Sequence, residues 1–200
     1  MKMRKILASA CALALTAAIA VGGTLAYLTS QDTVTNTFTV GKVGITLDEA
    51  VVDVDGEYVT DINNRDDHNA YKLMPGHEYT KDPTIHVAAD SEESYLFVKV
   101  VNGIADIEAD GDTTIAAQMA AKGWYAVENV DNVYYYGDAN GKKIVQAGEN
   151  KVVFDNFTIA NDANTTGYED DTITITAYAV QADGFADSTP AQIWTAANFT

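Results

Sequence analysis

Residues 77–81, HEYTK, come closest to a known catalytic motif, because they begin like the zinc-protease sequence H-E-x-x-H. That motif places two histidines one helical turn apart to bind Zn²⁺, and its glutamate activates a water molecule. Here Lys81, a cation, stands at the second ligand position, and the preceding Pro75-Gly76 pair disfavours a helix. Successive histidines of the chain are nine residues apart, which puts them on opposite faces of a strand. We therefore expect no metal site here.

An acidic segment, residues 106–112, resembles the first half of a calcium-binding EF-hand loop. Gly111 stands at the sixth position as required, but the twelfth position, which should be a bidentate glutamate, is Ala117. The sequence leaves two interpretations open, weak calcium binding or an acidic turn that begins a helix. The candidate calcium ligands are Asp106, Glu108, Asp110 and Asp112, and we expect no other cofactor.

Three consecutive tyrosines, Tyr134, Tyr135 and Tyr136, could form an aromatic surface that stacks on sugars. In a strand the first and third share one face and the second takes the other, so packing with one partly exposed ring is the competing interpretation. Serine, histidine and acidic residues show no nucleophile elbow or other local catalytic signature. Phosphate-binding and dinucleotide-binding loops are also missing from the sequence. We therefore expect that the protein is not an enzyme.

The first 26 residues have the three parts of a secretory signal. Basic residues at positions 2, 4 and 5 precede an apolar run over residues 6–21, which is short for a membrane span of about 20 residues. Small residues end the segment, so we predict cleavage between Ala26 and Tyr27. No second apolar run of that length follows. The sequence therefore predicts a secreted protein without a membrane anchor after cleavage.

The charge and the cysteine content limit the partners and the origin of the mature protein. The only cysteine of the full sequence, Cys11, lies in the predicted signal, so the mature protein has none. We therefore expect a bacterial protein that is stabilised by its core alone. Cleavage after Ala26 removes three of the 12 basic residues and none of the 29 acidic ones, so the net charge goes from −17 to −20. Such a surface lacks the basic patch that nucleic-acid binding needs. The remaining residues 27–200 are enough for one domain.

A strand pattern begins close to the predicted cleavage site. Residues 33–40, TVTNTFTV, place Val34, Phe38 and Val40 on one face and threonines on the other, which is typical of a half-buried strand. A second strand is predicted over residues 43–47. Residues 95–101 form the longest apolar run outside the signal and predict a central strand that is covered on both faces.

The remaining pattern predicts an antiparallel all-β sandwich with few helices. Asp112 or Thr113 is the expected cap of one helix, which Gly123 ends. A second helix is expected after Thr189, which can form a capping box with Gln192. Other strands are predicted over residues 84–88, 124–127, 133–136, 144–146, 152–159 and 172–180, with a small hairpin over residues 51–59 and a polar loop over residues 61–69.

Several blocks of the sequence resemble the TasA/camelysin family, whose members Gram-positive bacteria export through a SipW-type signal peptidase. The most specific block is N-terminal and comprises GGTLAYLT at residues 22–29, NTFTVG at 36–41 and VGITL at 43–47. A second block, LMPG and KDP, contains the family-motif residues Pro75, Gly76, Lys81 and Asp82. The sequence AYAVQADGF, residues 177–185, is similar to the closing strand of clostridial relatives.

The resemblance implies a jelly-roll-like β-sandwich and a role as a secreted subunit of biofilm-matrix or surface fibres. In such fibres the N-terminal strand of one subunit completes the sheet of the next, by β-strand addition. We expect residues 27–40 to be this donor strand, with Val34, Phe38 and Val40 filling pockets of the neighbour. The expected partners are other copies of this chain or related matrix subunits, besides the SipW-type signal peptidase. The expected location is the extracellular matrix or the cell surface.

Three alternatives remain open from the sequence. Because camelysin relatives are catalogued as metalloproteases, a secreted metallopeptidase is one, although the broken motif at His77 and Lys81 argues against it. A monomeric surface adhesin that binds glycans through the tyrosine-rich hairpin is another. In the third, the N-terminal strand pairs within its own subunit and no fibre forms.

Overall fold

A computed structural model of the chain describes residues 41–59, 61 and 63–199. The predicted signal peptide with its cleavage site at Ala26 and Tyr27 lies outside these residues. The predicted donor strand, with Val34, Phe38 and Val40, lies outside them as well.

Most regular elements among the described residues are strands, and the others are two α-helices and one short 3₁₀ helix, Ala105–Ile107. The strands are β1 (Ile45–Ala50), β2 (Arg65–Asp66), β3 (Glu78–Thr80), β4 (Thr84–Val87), β5 (Ser94–Asn102), β6 (Trp124–Ala126), β7 (Val133–Asp138), β8 (Gly141–Lys142), β9 (Asn150–Val152), β10 (Asn156–Thr158) and β11 (Ile173–Gln181). The helices are α1 (Ile115–Ala121) and α2 (Pro190–Ala196). No helix in this part of the chain is both long enough and apolar enough to cross a membrane.

The strands form three open antiparallel sheets. The small sheet has the order β2-β1-β4-β9, the large sheet has the order β11-β5-β7-β6 with β8 paired to β7, and β10 pairs with β3. The longest pairing joins β5 to β11 over nine positions, from Ser94 opposite Gln181 to Asn102 opposite Ile173. Every pairing between the described strands is antiparallel, which agrees with the prediction of an antiparallel all-β protein.

Strand β5 is covered on both faces, as its continuous apolar sequence predicts. Leu96 and Val98 on one face are fully buried in a core that β3, β4 and β10 also line, which we call the inner core. Tyr95 and Phe97 on the other face pack under α2, in what we call the outer cluster. The inner core also contains Tyr79, Ile85, Trp124, Phe154 and Phe157.

Both helices form where the sequence predicts them, with one correction. The cap of α1 is Thr114, not Asp112 or Thr113, because the Thr114 hydroxyl accepts the N–H of Ala117 at 3.2 Å. This start turns Ile115 and Met119 into the inner core. Helix α2 has the predicted capping box: Thr189 accepts the N–H of Gln192, whose side chain accepts the N–H of Thr189.

Three predictions along the chain need correction. The single strand predicted over residues 152–159 is two strands, β9 and β10, in different sheets. Val153 and Phe154 between them are both fully buried, whereas consecutive residues of a half-buried strand point to opposite faces and only one of them is buried. The strand predicted over residues 144–146 is a single bridge from Val145 to Ser94. The predicted polar loop over residues 61–69 contains β2, which extends the small sheet.

Candidate functional site: a groove between two sheet edges

Two strand edges lie side by side where the small and the large sheets meet. Strand β11 pairs only with β5 among the described residues, and β1 pairs with β4 on one side and with β2 only through Glu49 and Ala50. The two strands are neighbours in space. An edge strand presents N–H and C=O groups that another strand can pair with.

A groove of about 950 Å³ lies between these edges. Its apolar walls come from Leu47 of β1 and from Ile173 and Ile175 of β11, which are half-buried and pack on the inner core. Residues 169–171, three consecutive acids, lie at its rim. The groove therefore combines apolar walls with acidic residues.

An aromatic floor supports the apolar walls. The rings of Tyr71 and Phe157 meet edge to face with centroids 5.1 Å apart, and Tyr79 stacks on Phe157 at 4.9 Å. The hydroxyl of Tyr71 donates to the carbonyl of Thr80 at 3.0 Å. Burial, together with the charge of Glu49, raises the pKa of Tyr71 above its ordinary value, so its hydroxyl remains a hydrogen-bond donor.

A buried ion pair forms the polar end of the groove. Lys81 is 8% exposed and Glu49 is 4% exposed, and the ammonium of Lys81 donates to Oε2 of Glu49. The other carboxylate oxygen, Oε1, accepts a hydrogen bond from Nδ2 of Asn69 at 2.9 Å. The Tyr71 ring centre lies 5.9 Å from Nζ of Lys81. Burial of both charges without partners would be costly, and here each has one.

A second charged network fixes β1 to its neighbours. The guanidinium of Arg65 bridges the carboxylates of Asp48 and Asp82, and Oδ1 of Asp82 accepts the N–H of Ala50 at 2.7 Å. Nε2 of His86 lies 2.9 Å from Oδ1 of Asp48. Burial alone would raise the pKa of Asp48, but the hydrogen bonds with His86 and Arg65 outweigh it, so that pKa is lowered.

Of the four predicted family-motif residues, Lys81 lines the groove. Pro75 and Gly76 form a β-turn: Gly76 has φ +77°, and the N–H of His77 donates to the carbonyl of Met74 at 3.2 Å. A Cβ on Gly76 would lie 2.5 Å from Oδ1 of Asn161, so the close approach also requires glycine. Lys81 and Asp82 contact β1 through Glu49 and Ala50, as described above.

The segment that begins like a zinc-protease motif is a strand, β3, with no helical turn. Nε2 of His77 contacts the carbonyl oxygen of Asp55 at 2.7 Å, and Lys81 is the buried partner of Glu49. Within the described part of the chain, one group has the spacing of a metal site: Asp66, Asp67 and His68, all exposed. His68 contacts Asp67, which raises the pKa of His68.

The acidic segment before α1 is divided between two tasks. Oε1 of Glu108 accepts the N–H of Ile115 at 2.8 Å and Oε2 accepts Nδ2 of Asn102 at 2.8 Å, so Glu108 fixes the start of α1. Burial raises the pKa of Glu108. Asp106 lies in the 3₁₀ helix, and Asp110 and Asp112 are exposed. Calcium binding by these four residues stays a prediction.

The three tyrosines of β7 alternate as their sequence predicts. Tyr134 and Tyr136 pack on the inner core, and Tyr135 packs on the outer cluster with its ring 5.9 Å from that of Tyr125. All three are half-buried, so each ring has a packing role. Glycan binding by this hairpin stays a prediction.

The sequence prediction missed the polar end of the groove, which consists of Glu49, Asn69 and the known motif residue Lys81. One signal was available for Glu49, because its spacing of two from Leu47 puts both on the same face of β1. A charged residue on the core face of a strand needs a partner. No comparable signal marks Asn69, which comes from a polar loop.

Residues 2–68 match the sequence model of a protein family described as camelysin metallo-endopeptidase. The predicted resemblance to the TasA/camelysin family is confirmed. The match covers about the first third of the chain and includes its strands β1 and β2. The comparison with curated proteins gave no match, and neither did the comparison with solved structures.

Proposed function

We propose that this protein, which resembles the camelysin family over residues 2–68, is a secreted structural subunit of extracellular biofilm-matrix or surface fibres. In this proposal a SipW-type signal peptidase of a Gram-positive bacterium cleaves after Ala26, and residues 27–40 of one subunit enter the groove of the next. The domain then completes a jelly-roll-like sandwich with a strand from its neighbour. Partners are other copies of the chain or related matrix subunits.

The observation that carries the proposal is the open groove between the edges of β1 and β11. An inserted strand gains backbone hydrogen bonds from such an edge and specificity from side-chain pockets. The donor's Val34, Phe38 and Val40 would then face Leu47, Ile173 and Ile175, which are apolar as well.

The length and charge of the donor segment also suit the groove. Residues 28–40 span up to about 43 Å as a strand, whereas the nine residues of β11 span about 30 Å. Asp32 is the one charged residue among residues 28–40, in a chain with a net charge of −17. Residues 33–40 carry no charged side chain, so they can pack against the apolar walls without desolvating a charge. Donation from head to tail does not close, so it produces filaments.

Electron microscopy of two purified forms tests the proposal. One form starts at Tyr27 and the other starts at Gly41; circular dichroism confirms that both are folded. We expect filaments from the first form and folded monomers from the second. A matched pair of variants sharpens the result: Phe38→Asp should abolish filaments, whereas Thr37→Asp, on the opposite face, should preserve them. Filaments from the form that starts at Gly41 would contradict strand donation.

A camelysin-like metallopeptidase is the second candidate, because the description of the matching family names that activity. Metal analysis and a casein assay on the same preparations test it, and cleavage that a chelator abolishes would support it. Glycan-array binding by a monomer that forms no filaments would instead support an adhesin.

A further inference from the structure

Lys81, Glu49 and Asn69 meet at the polar end of the groove in an arrangement that an ion pair alone does not require. They come from three separate places: Glu49 from β1, Asn69 from the loop after β2, and Lys81 from the segment between β3 and β4. One carboxylate contacts both nitrogens, with Oε2 on Nζ of Lys81 and Oε1 on Nδ2 of Asn69. Glu49 is thus placed to move protons between an amine and a carboxamide.

The amide of Asn69 also forms hydrogen bonds with two backbone groups. Nδ2 also donates to the carbonyl of Ala50 at 2.9 Å, and Oδ1 accepts the backbone N–H of Val52 at 3.0 Å. These bonds assign the two ends of the amide. They also place a backbone donor on Oδ1, where negative charge develops when a nucleophile attacks the carbonyl carbon.

We propose that Lys81 and Asn69 form an intramolecular isopeptide bond, with Glu49 as the proton-transfer group. Glu49 takes a proton from Lys81, and the neutral Nζ attacks Cγ of Asn69 while the carbonyl electron pair moves to Oδ1, beside the N–H of Val52. Glu49 transfers the protons that Nζ loses to Nδ2. The Cγ–Nδ2 bond breaks, nitrogen leaves as ammonium, and Glu49 returns to its carboxylate form. No oxidant or reductant is consumed.

The surroundings favour this reaction over hydrolysis. Lys81 and Glu49 are almost completely buried, and the ring of Tyr71 lies beside Nζ. Three groups held together by a folded core react as if at high effective concentration. The bond would close residues 69–81 into a covalent loop and tie the loop after β2 to the segment before β4. Such a link restricts the unfolded chain, as a disulfide does, in a protein whose only cysteine is Cys11.

Mass spectrometry of the purified, denatured protein tests the bond directly. We expect a mass lower than the sequence requires by about 17 Da, the mass of the ammonia released. A tryptic digest should contain residues 66–72 joined to residues 73–99, because an acylated Lys81 is not cleaved. Three variants should each have the mass that their own sequence requires, without the loss: Lys81→Met, Asn69→Ala and Glu49→Gln.

The controls separate other sources of a lower mass. A loss of about 17 Da that persists in Lys81→Met would be a succinimide at an asparagine and would contradict the proposal. A bond found between Lys81 and Glu49, with loss of water, would contradict it too. An unshifted wild-type mass would overturn it without any variant. None of these outcomes depends on whether filaments form.

Discussion

The outer cluster lies on the large sheet, whereas the groove lies between the large and the small sheets, and the two differ in how they are closed. In the outer cluster the rings of four residues pack against one another with centroids 4.8 to 6.4 Å apart: Phe97, Tyr178, Trp194 and Phe199. Helix α2 covers this cluster. In the groove, half-buried Ile173 and Ile175 line an open channel that ends at buried charges. The same strand, β11, contributes to both.

This difference indicates how stability and assembly are divided. A closed aromatic cluster gains its free energy within one subunit, since Phe97 and Trp194 are already buried there. The groove retains apolar area and strand edges that remain to be covered. We therefore expect substitutions in the outer cluster to affect unfolding and substitutions in the groove walls to affect assembly.

Phe97→Ala should have the largest effect on stability. Phe97 is fully buried in β5 and contacts Trp194, so its removal leaves a cavity and should lower the free energy of unfolding by about 3–5 kcal/mol. Val101→Ala on the same strand is the control, because Val101 is 45% exposed and should cost less than about 1 kcal/mol. Chemical denaturation measures both. Equal effects would mean that the outer cluster does not stabilise the subunit as described.

Lys81→Met should be nearly as damaging, because it leaves the carboxylate of Glu49 buried without its cation. We expect a loss of about 3 kcal/mol, and we expect Glu49→Leu to recover most of it when combined with Lys81→Met. The single variant Lys81→Met and the double variant Lys81→Met/Glu49→Leu are both made in the Asn69→Ala protein and compared with it, because no isopeptide bond can form there. If the double variant is no more stable than Lys81→Met, the buried ion pair is not the reason for the loss.

Asp48→Asn should have a smaller effect that depends on pH. The pKa of Asp48 in the folded protein lies below its ordinary value of 3.8, so its network with Arg65 and His86 stabilises the fold above that pH. The contribution is lost as the pH falls through the folded pKa. In Asp48→Asn the free energy of unfolding should therefore fall less steeply below about pH 4. An unchanged acid slope in denaturation curves would exclude this role.

The parts of the fold that local pattern decides could be predicted. The apolar run of β5, the strand predicted over residues 172–180 and the capping box of α2 are each set by neighbouring residues, and all three are present. The division of residues 152–159 between β9 and β10 could not be predicted, because it depends on which strands become neighbours. Strand β9 pairs with β4, and β10 pairs with β3.

The same reason explains what was missed in the groove. The motif residues Lys81 and Asp82 were identified from the sequence, but their partners Glu49 and Arg65 were not. Asn69, which donates to Glu49, was missed as well. These contacts join residues far apart in the chain, and only the pairing of β1 with β2 and β4 brings them together.

The most direct test of strand donation mixes two forms that cannot assemble alone. The acceptor form starts at Gly41 and has no donor strand; the donor form starts at Tyr27 and carries Ile175→Asp, which puts a charge in the groove wall. Light scattering and native mass spectrometry measure the complexes. Thr176→Asp on the exposed face of β11 is the matched control and should still form filaments. The account predicts a discrete 1:1 complex that Phe38→Asp in the donor form abolishes. Two folded proteins that stay monomeric when mixed would contradict it.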